Sequence, residues 1–284
     1  MAPELRWGNR TYLMGILNIT PDSFSGDGLA PDGSDPADVV AAAVAQGRAM
    51  VEGGADILDI GAESTRPPQA YGDHPAVDAR TELALAIPVV RALASELGDR
   101  ALISIDTSKG VVAAAALEAG ATIVNDVWAA TRDPGTADAV AAAPGSHLVL
   151  MHNQEEDGYR DGVHATVVAW LRDAIDKAIA RGVERDRLIV DPGIGFGGKG
   201  TEENLELLHR LSAFKAELGL PVLVGTSRKR FIGELLDGAA ADDRVEGTAA
   251  TVALAVASGV DIVRVHDVAP IARTLRVADA VVRR

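Results

Sequence analysis

The chain of 284 residues contains no cysteine. Disulfides, thiolate nucleophiles, thiolate metal sites and iron–sulfur clusters are therefore excluded. Aromatic residues are only 4 %, so Ala, Val, Leu and Ile carry the apolar load. No apolar run reaches the ~18 residues a membrane-spanning helix needs. Basic residues are outnumbered, 27 against 41 acidic, for a net charge of -14. Such a chain repels phosphate backbones, so nucleic-acid binding is not expected. A small anionic substrate remains compatible if basic residues are concentrated locally. The first ten residues are polar and lack the apolar core of a signal peptide, so a cytoplasmic protein is expected.

What the sequence does contain is a repeated pattern: a short apolar run, a polar turn, then an alanine-rich stretch. Eight apolar runs read as strands, at Tyr12–Ile19, Asp56–Gly61, Ala101–Thr107, Thr122–Val127, His147–His152, Leu188–Gly193, Val222–Ser227 and Asp261–His266. Most are continuously apolar rather than alternating, as in parallel strands covered on both faces. Helices are expected at 37–53, 78–97, 109–119, 135–143, 163–181, 202–217, 228–258 (broken near Gly238) and 268–282. Asp35-Pro36 and Asp133-Pro134 read as N-cap residues before a proline at the first helical position. Gly54, Gly120, Gly182 and Gly259 read as left-handed stops before the next strand. Eight units with no break in composition point to one domain over residues 1–284, a single (β/α)8 TIM barrel. An open doubly wound sheet is the alternative. It usually shows a glycine-rich fingerprint after its first strand, where this chain has Thr20-Pro-Asp-Ser-Phe-Ser25. The long segments 20–35 and 62–77 follow the first two strands and are expected to act as lids over the mouth.

The carboxyl ends of barrel strands face the catalytic mouth. Here every one of them is polar: Asn18; Asp59 leading into Glu63-Ser-Thr-Arg-Pro67; Asp106; Asn125-Asp126; His152; Asp191; Ser227-Arg-Lys-Arg230; and Arg264-Val-His266. Buried charge is costly unless paired, so stability alone does not favour this set. Two chemistries are legible. Arg264 and His266 alternate along a strand and share a face, suited to capturing an anion with Asn18 and the Ser64-Thr65 hydroxyls. Pairing of Arg264 with a carboxylate of the barrel wall is an equally good reading. Asp106, Asn125 and Asp191, with Lys229, suit a flat polar heterocycle: carboxylates accept from a guanidine-like edge, and an amide both donates and accepts. A structural Asp191–Lys229 ion pair is compatible with that role. No nucleophile stands out. Ser227 lacks a nucleophile elbow. The histidines lack metalloprotease spacing, and Gly193-Ile-Gly-Phe-Gly-Gly198 lacks the ending of a phosphate loop. Positioning and stabilisation of a leaving anion are the expected chemistry.

In chain order, eight motifs span residues 14–266. They are Met14-Gly-Ile-Leu-Asn-Ile-Thr-Pro-Asp-Ser-Phe-Ser25, Asp59-Ile-Gly-Ala-Glu-Ser-Thr-Arg-Pro67, Ser104-Ile-Asp-Thr-Ser108, Asn125-Asp126, Leu150-Met-His152, Asp191-Pro-Gly-Ile-Gly-Phe196, Gly225-Thr-Ser-Arg-Lys229 and Arg264-Val-His266. With these the chain resembles the dihydropteroate synthase family of pterin-binding barrels. Each motif is weak alone; together they are specific. The resemblance implies a condensation in which 4-aminobenzoate displaces diphosphate from 6-hydroxymethyl-7,8-dihydropterin diphosphate, with the diphosphate leaving first. It also implies Mg²⁺ and a homodimer. Residue by residue, it implies that Asp106, Asn125, Asp191 and Lys229 hold the pterin. Asn18 would bind Mg²⁺ and, with Thr65, Arg264 and His266, the diphosphate. Arg66, Pro67, Phe196 and Ser227 would shape the aminobenzoate site. Lys229, Arg264, His266 and Asp106 are the residues expected to carry catalysis.

The chain departs from the family pattern at Gly26-Asp27-Gly28, at Ala62 and Pro68 (both usually glycine), at Trp128-Ala129 and at Asn153. None of these falls on a position implied for pterin or diphosphate. Two other readings stay open. A methyltetrahydrofolate-dependent methyltransferase on the same barrel would need no anion cradle. A non-catalytic paralogue would bind pterin without turnover.

Overall fold

A computed structural model describes residues 4–19, 35–63, 77–154 and 158–283. The chain alternates strand and helix from β1 (Tyr12–Asn18) and α1 (Pro36–Glu52) through β2 (Ile57–Gly61), α2 (Ala79–Leu97), β3 (Leu102–Asp106), α3 (Gly110–Glu118), β4 (Ile123–Asp126), α4 (Gly135–Ala142), β5 (His147–Met151) and α5 (Val163–Ala180). It continues with β6 (Leu188–Asp191), α6 (Thr201–His209), α7 (Leu211–Leu218), β7 (Leu223–Val224), α8 (Arg230–Leu235), α9 (Val245–Ala257), β8 (Ile262–Val265) and α10 (Val268–Val282). All neighbouring strands are parallel, in the order β6-β5-β4-β3-β2-β1-β8-β7. A parallel bridge between Val190 and Val222 closes the ring. β7 is only two residues long, and the Pro221 carbonyl before it accepts from Val190 N at 2.9 Å. The fold is the (β/α)8 barrel that the repeat predicted. Among the described residues, no helix is long and apolar enough to cross a membrane.

Strand parity divides the core in two. Residues of one parity (Leu13, Leu58, Ile103, Val124, Leu148, Val263) face outward into the layer packed against the helices. Residues of the other parity (Met14, Ile57, Ile123, Val149, Ile189, Ile262) fill the barrel's lower interior, against which Leu5 and Trp7 pack. Both sets are almost fully buried, so each strand reads as continuously apolar. One step further along the same inward parity lie Asp59, Ser104, Asn125, Asp191 and Arg264. The barrel is thus oily at one end and polar at the other.

The helix signals mostly hold. The Asp35 carboxylate accepts from Ala37 N, and Gly54, Gly120, Gly182 and Gly259 all have positive φ. At Asp133-Pro134 the helix begins at Gly135, where it was expected, but Pro134 is its cap residue and not its first helical position. Asp133 nevertheless accepts from Gly135 N at 2.9 Å and from Gly110 N at 2.6 Å, so one carboxylate serves the amino ends of two helices. The expected helix 202–217 is two helices, interrupted at Arg210 (φ −99°, ψ 10°). The expected 228–258 helix is α8 and α9, with Gly238 at φ +89° between them. The two segments read as lids lie largely outside the described residues.

Candidate active site

The polar layer converges on Asp59, a fully buried carboxylate on β2. Its Oδ1 accepts from Ser104 Oγ at 2.6 Å, and its Oδ2 accepts from Asn125 Nδ2 at 3.0 Å and Arg264 Nε at 2.6 Å. Arg264 Nη2 donates to Asp106 Oδ2 at 2.7 Å. Strands two, three, four and eight are thereby tied into one hydrogen-bonded network. From its sequence Asp59 is one of the polar strand ends, but no role was legible for it. Its signal was a carboxylate of inward parity inside an apolar run, Ile57-Leu-Asp-Ile60.

Of the two readings for Arg264, the structure has the pairing with wall carboxylates. The reason is charge. Asp59, Asp106 and Asp191 are all buried in one barrel mouth, and a buried carboxylate needs a cation and donors. Burial works against the Arg264 charge, but Asp59 and Asp106 more than offset this and hold its pKa above the ordinary value. In this structure the Arg264 guanidinium is thus held by two carboxylates of the barrel wall. It joins strand eight to the heterocycle carboxylates.

Burial pushes the Asp106 carboxyl up to about 8, with Arg264 opposing and Asp59 reinforcing the shift. Asp106 Oδ1 is buried without a protein partner, so it is the polar atom the network leaves over. Asn125 donates its amide N–H₂ to Asp59, which orients its Oδ1 away from that carboxylate. Asp191 is pushed up to about 6 by burial, opposed by the Gly193 N–H that it accepts at 2.7 Å and by the nearby Lys229 charge.

Lys229, at the N-cap of α8, places Nζ 3.8 Å from the centroid of the Phe196 ring, a cation–π arrangement. A β-carbon at Gly195 would sit 2.9 Å from Lys229 Cδ, so glycine there leaves room for this lysine. Ser227 Oγ accepts from His266 N at 3.1 Å and lies 3.0 Å from His266 Nδ1. Asn18 ends β1. Next to it, a β-carbon on Gly61 would lie 3.8 Å from Asn18 Oδ1 and 3.6 Å from the Asp106 β-carbon, so glycine keeps that space open.

The structure thus brings Asn18, Asp106, Asn125, Asp191, Phe196, Ser227, Lys229, Arg264 and His266 to one end of the barrel. Thr65, Arg66 and Pro67 lie outside the described residues. Asp126, of outward parity, accepts from Trp128 N, Ala130 N and Thr136 Oγ and shapes its own turn. Two further groups escaped the sequence reading. Lys109 bridges Glu63 and the fully buried Glu82, each at 2.6 Å. Lys199 lies buried against His152. Neither is at a strand end of inward parity, so position alone did not single them out.

The comparisons agree with this geometry. Residues 14–266 match the family model described as pterin binding enzyme. The dihydropteroate synthase of Bacillus subtilis is 43% identical over 280 residues, covering 99% of this chain and 92% of that one. A crystal structure of dihydropteroate synthase from Clostridium difficile, determined in the presence of pteroic acid, superposes with a TM-score of 0.88 at 42% identity, covering 98% of this chain and 99% of that one. The Xanthomonas albilineans dihydropteroate synthase with 4-aminobenzoic acid gives a TM-score of 0.85 at 43% identity, over 96% of this chain and 93% of that one. Fold, site and near-full-length similarity together show that the chain belongs to the dihydropteroate synthase family of pterin-binding enzymes.

Proposed function

We propose that this protein condenses 6-hydroxymethyl-7,8-dihydropterin diphosphate with 4-aminobenzoate, forming 7,8-dihydropteroate and diphosphate. The observation that carries the reading is the polar layer itself. Two buried carboxyls with raised pKa, Asp106 and Asp191, face an oriented amide and a lysine in a barrel mouth. That set recognises a flat ring edge rich in N–H groups.

In this reading Asp106 Oδ1, Asn125 Oδ1 and Asp191 meet the pterin edges, and Lys229 meets a ring carbonyl or nitrogen. Asp59 holds Asn125 and Arg264 in place. His266 Nε2 and Arg264 receive the diphosphate as its bond to the pterin methylene breaks, with Thr65 joining them. Phe196, Ser227, Arg66 and Pro67 hold the aminobenzoate so that its amine attacks that methylene carbon, and the amine then loses a proton. Rate comes from orientation and from charge stabilisation at the leaving oxygens, not from a covalent enzyme adduct.

Mg²⁺ fits the donor set at Asn18. This is a single hard amide oxygen beside an open glycine position, as suits an ion that shares its ligands with substrate phosphates. When bound there, the ion would neutralise charge on the departing diphosphate. Among the described residues no group of three or more His, Asp or Glu forms a metal cage of its own.

A homodimer belongs to the same proposal. Helices α9 and α10 pack side by side and leave Leu254, Val277 and Val281 about two-thirds exposed. Exposed aliphatic side chains at that density favour burial against a second copy. The cytoplasm is the compartment this reading assumes. The test is product formation: purified protein with both substrates and Mg²⁺ yields dihydropteroate by mass spectrometry, and Lys229→Ala reduces its rate at least about 100-fold while staying folded. A folded wild-type protein that makes no dihydropteroate overturns the reading.

A further inference from the structure

Lys199 sits in the β6–α6 connection and is 6 % exposed, a placement lysines rarely adopt without a carboxylate partner. Its Nζ donates instead to the Phe196 carbonyl at 2.9 Å and lies 2.9 Å from His152 Nδ1, at the end of β5. Among the described residues it forms no ion pair. Two acceptors match the two N–H bonds of a neutral amine. Burial and the neighbouring Lys229 charge hold the amine down at about 7, with Asp191 opposing. With the amine donating, His152 Nδ1 is the acceptor of that contact, and the His152 ring lies against Trp170.

The backbone is built around this amine. Gly193 and Gly197 have positive φ, and β-carbons there would lie 3.4 and 3.3 Å from Nζ. Asn204 closes the other side, accepting from Gly195 N at 2.6 Å and donating to the Gly200 carbonyl at 2.7 Å. What Lys199 anchors is the carbonyl of Phe196, whose ring carries Lys229 on its face.

We infer that Lys199 is a positioning residue: through the Phe196 carbonyl it fixes the aromatic wall against which the arylamine substrate is held. The inference rests on the reading of Phe196 given above. Asp106 and Asn125 are held by other contacts, so loss of Lys199 weakens pterin binding less than arylamine binding.

The test compares Lys199→Met, Phe196→Ala and the double variant with wild type, each checked for fold by thermal melting. In Lys199→Met the KM for aminobenzoate rises about tenfold, kcat falls less than about threefold, and the calorimetric Kd for the pterin diphosphate alone rises less than about threefold. In the Phe196→Ala background the same substitution adds nothing further. Lys199→Gln, which keeps N–H donors on a shorter side chain, gives an intermediate KM and carries the test if the methionine variant does not fold. An unchanged KM in folded Lys199→Met, or full additivity with Phe196→Ala, overturns the inference while the synthase reading stands. An unchanged KM in Phe196→Ala overturns the assignment of that wall to the arylamine, and this inference with it.

Discussion

Asp59 shows how one buried residue organises a site it need not touch. Its two oxygens take three donors from three other strands. Asp59→Asn removes its negative charge from beside Asp106, so the Asp106 pKa falls, and the Arg264 and Asn125 side chains lose their shared anchor. Carboxyl carbon titration by NMR checks the direction; an Asp106 pKa that rises contradicts the network. Asp106 also makes stability depend on pH. Its folded pKa, about 8, is raised above the ordinary carboxylate value. Its contribution is therefore complete below that ordinary value and is lost as pH rises through about 8. The stability advantage of wild type over Asp106→Asn should shrink between pH 6 and 9, by at most about 1.4 kcal/mol per pH unit. Urea titrations across that range measure it, and a pH-independent difference would falsify the assignment. Position made Asp106, Asn125 and Asp191 legible, because an inward polar residue at a barrel strand end has few other uses. The partners of Arg264 were not legible, because pairing depends on distances across the ring between strands far apart in sequence.

At the scale of the element, the connection after β6 is the least forgiving segment. Gly193 has φ +67°, and a β-carbon there would lie 2.0 Å from the His152 carbonyl oxygen. Gly193→Ala therefore meets both backbone strain and a clash with main chain, and the strain alone costs on the order of 1–3 kcal/mol. A fall of that size or larger in unfolding free energy, with loss of turnover, is the expected result. Unchanged stability would mean the connection can relax, which the close backbone contact opposes. The sequence showed why most elements start and stop, because Asp35 and the left-handed glycines act locally. It did not show the break at Arg210. Residues 202–217 are a good helical sequence with no proline or glycine to mark a break, yet the helix is interrupted at Arg210. The two-residue β7 was equally hidden, since Val222–Ser227 is apolar enough for a longer strand but closes against β6 by a single bridge.

For the molecule as a whole, the split between an oily and a polar end of the barrel follows from strand parity; the polar strand ends were legible in the sequence, the apolar plug with Leu5 and Trp7 was not. The assembly was not legible beyond the resemblance. If α9 and α10 meet a second copy, Val277→Glu should shift the protein toward monomer in sedimentation velocity while leaving its far-ultraviolet circular dichroism unchanged. Wild-type monomer at micromolar concentration would contradict the dimer. The central claim concerns the reaction, and one measurement reaches it most directly. Diphosphate release by the purified protein is followed with Mg²⁺ and the pterin diphosphate, before and after addition of 4-aminobenzoate. A protein that captures the departing anion without a covalent adduct should give sustained release only with the arylamine present, one diphosphate for each dihydropteroate formed. No release by folded protein, or release at the same sustained rate without the arylamine, would contradict it.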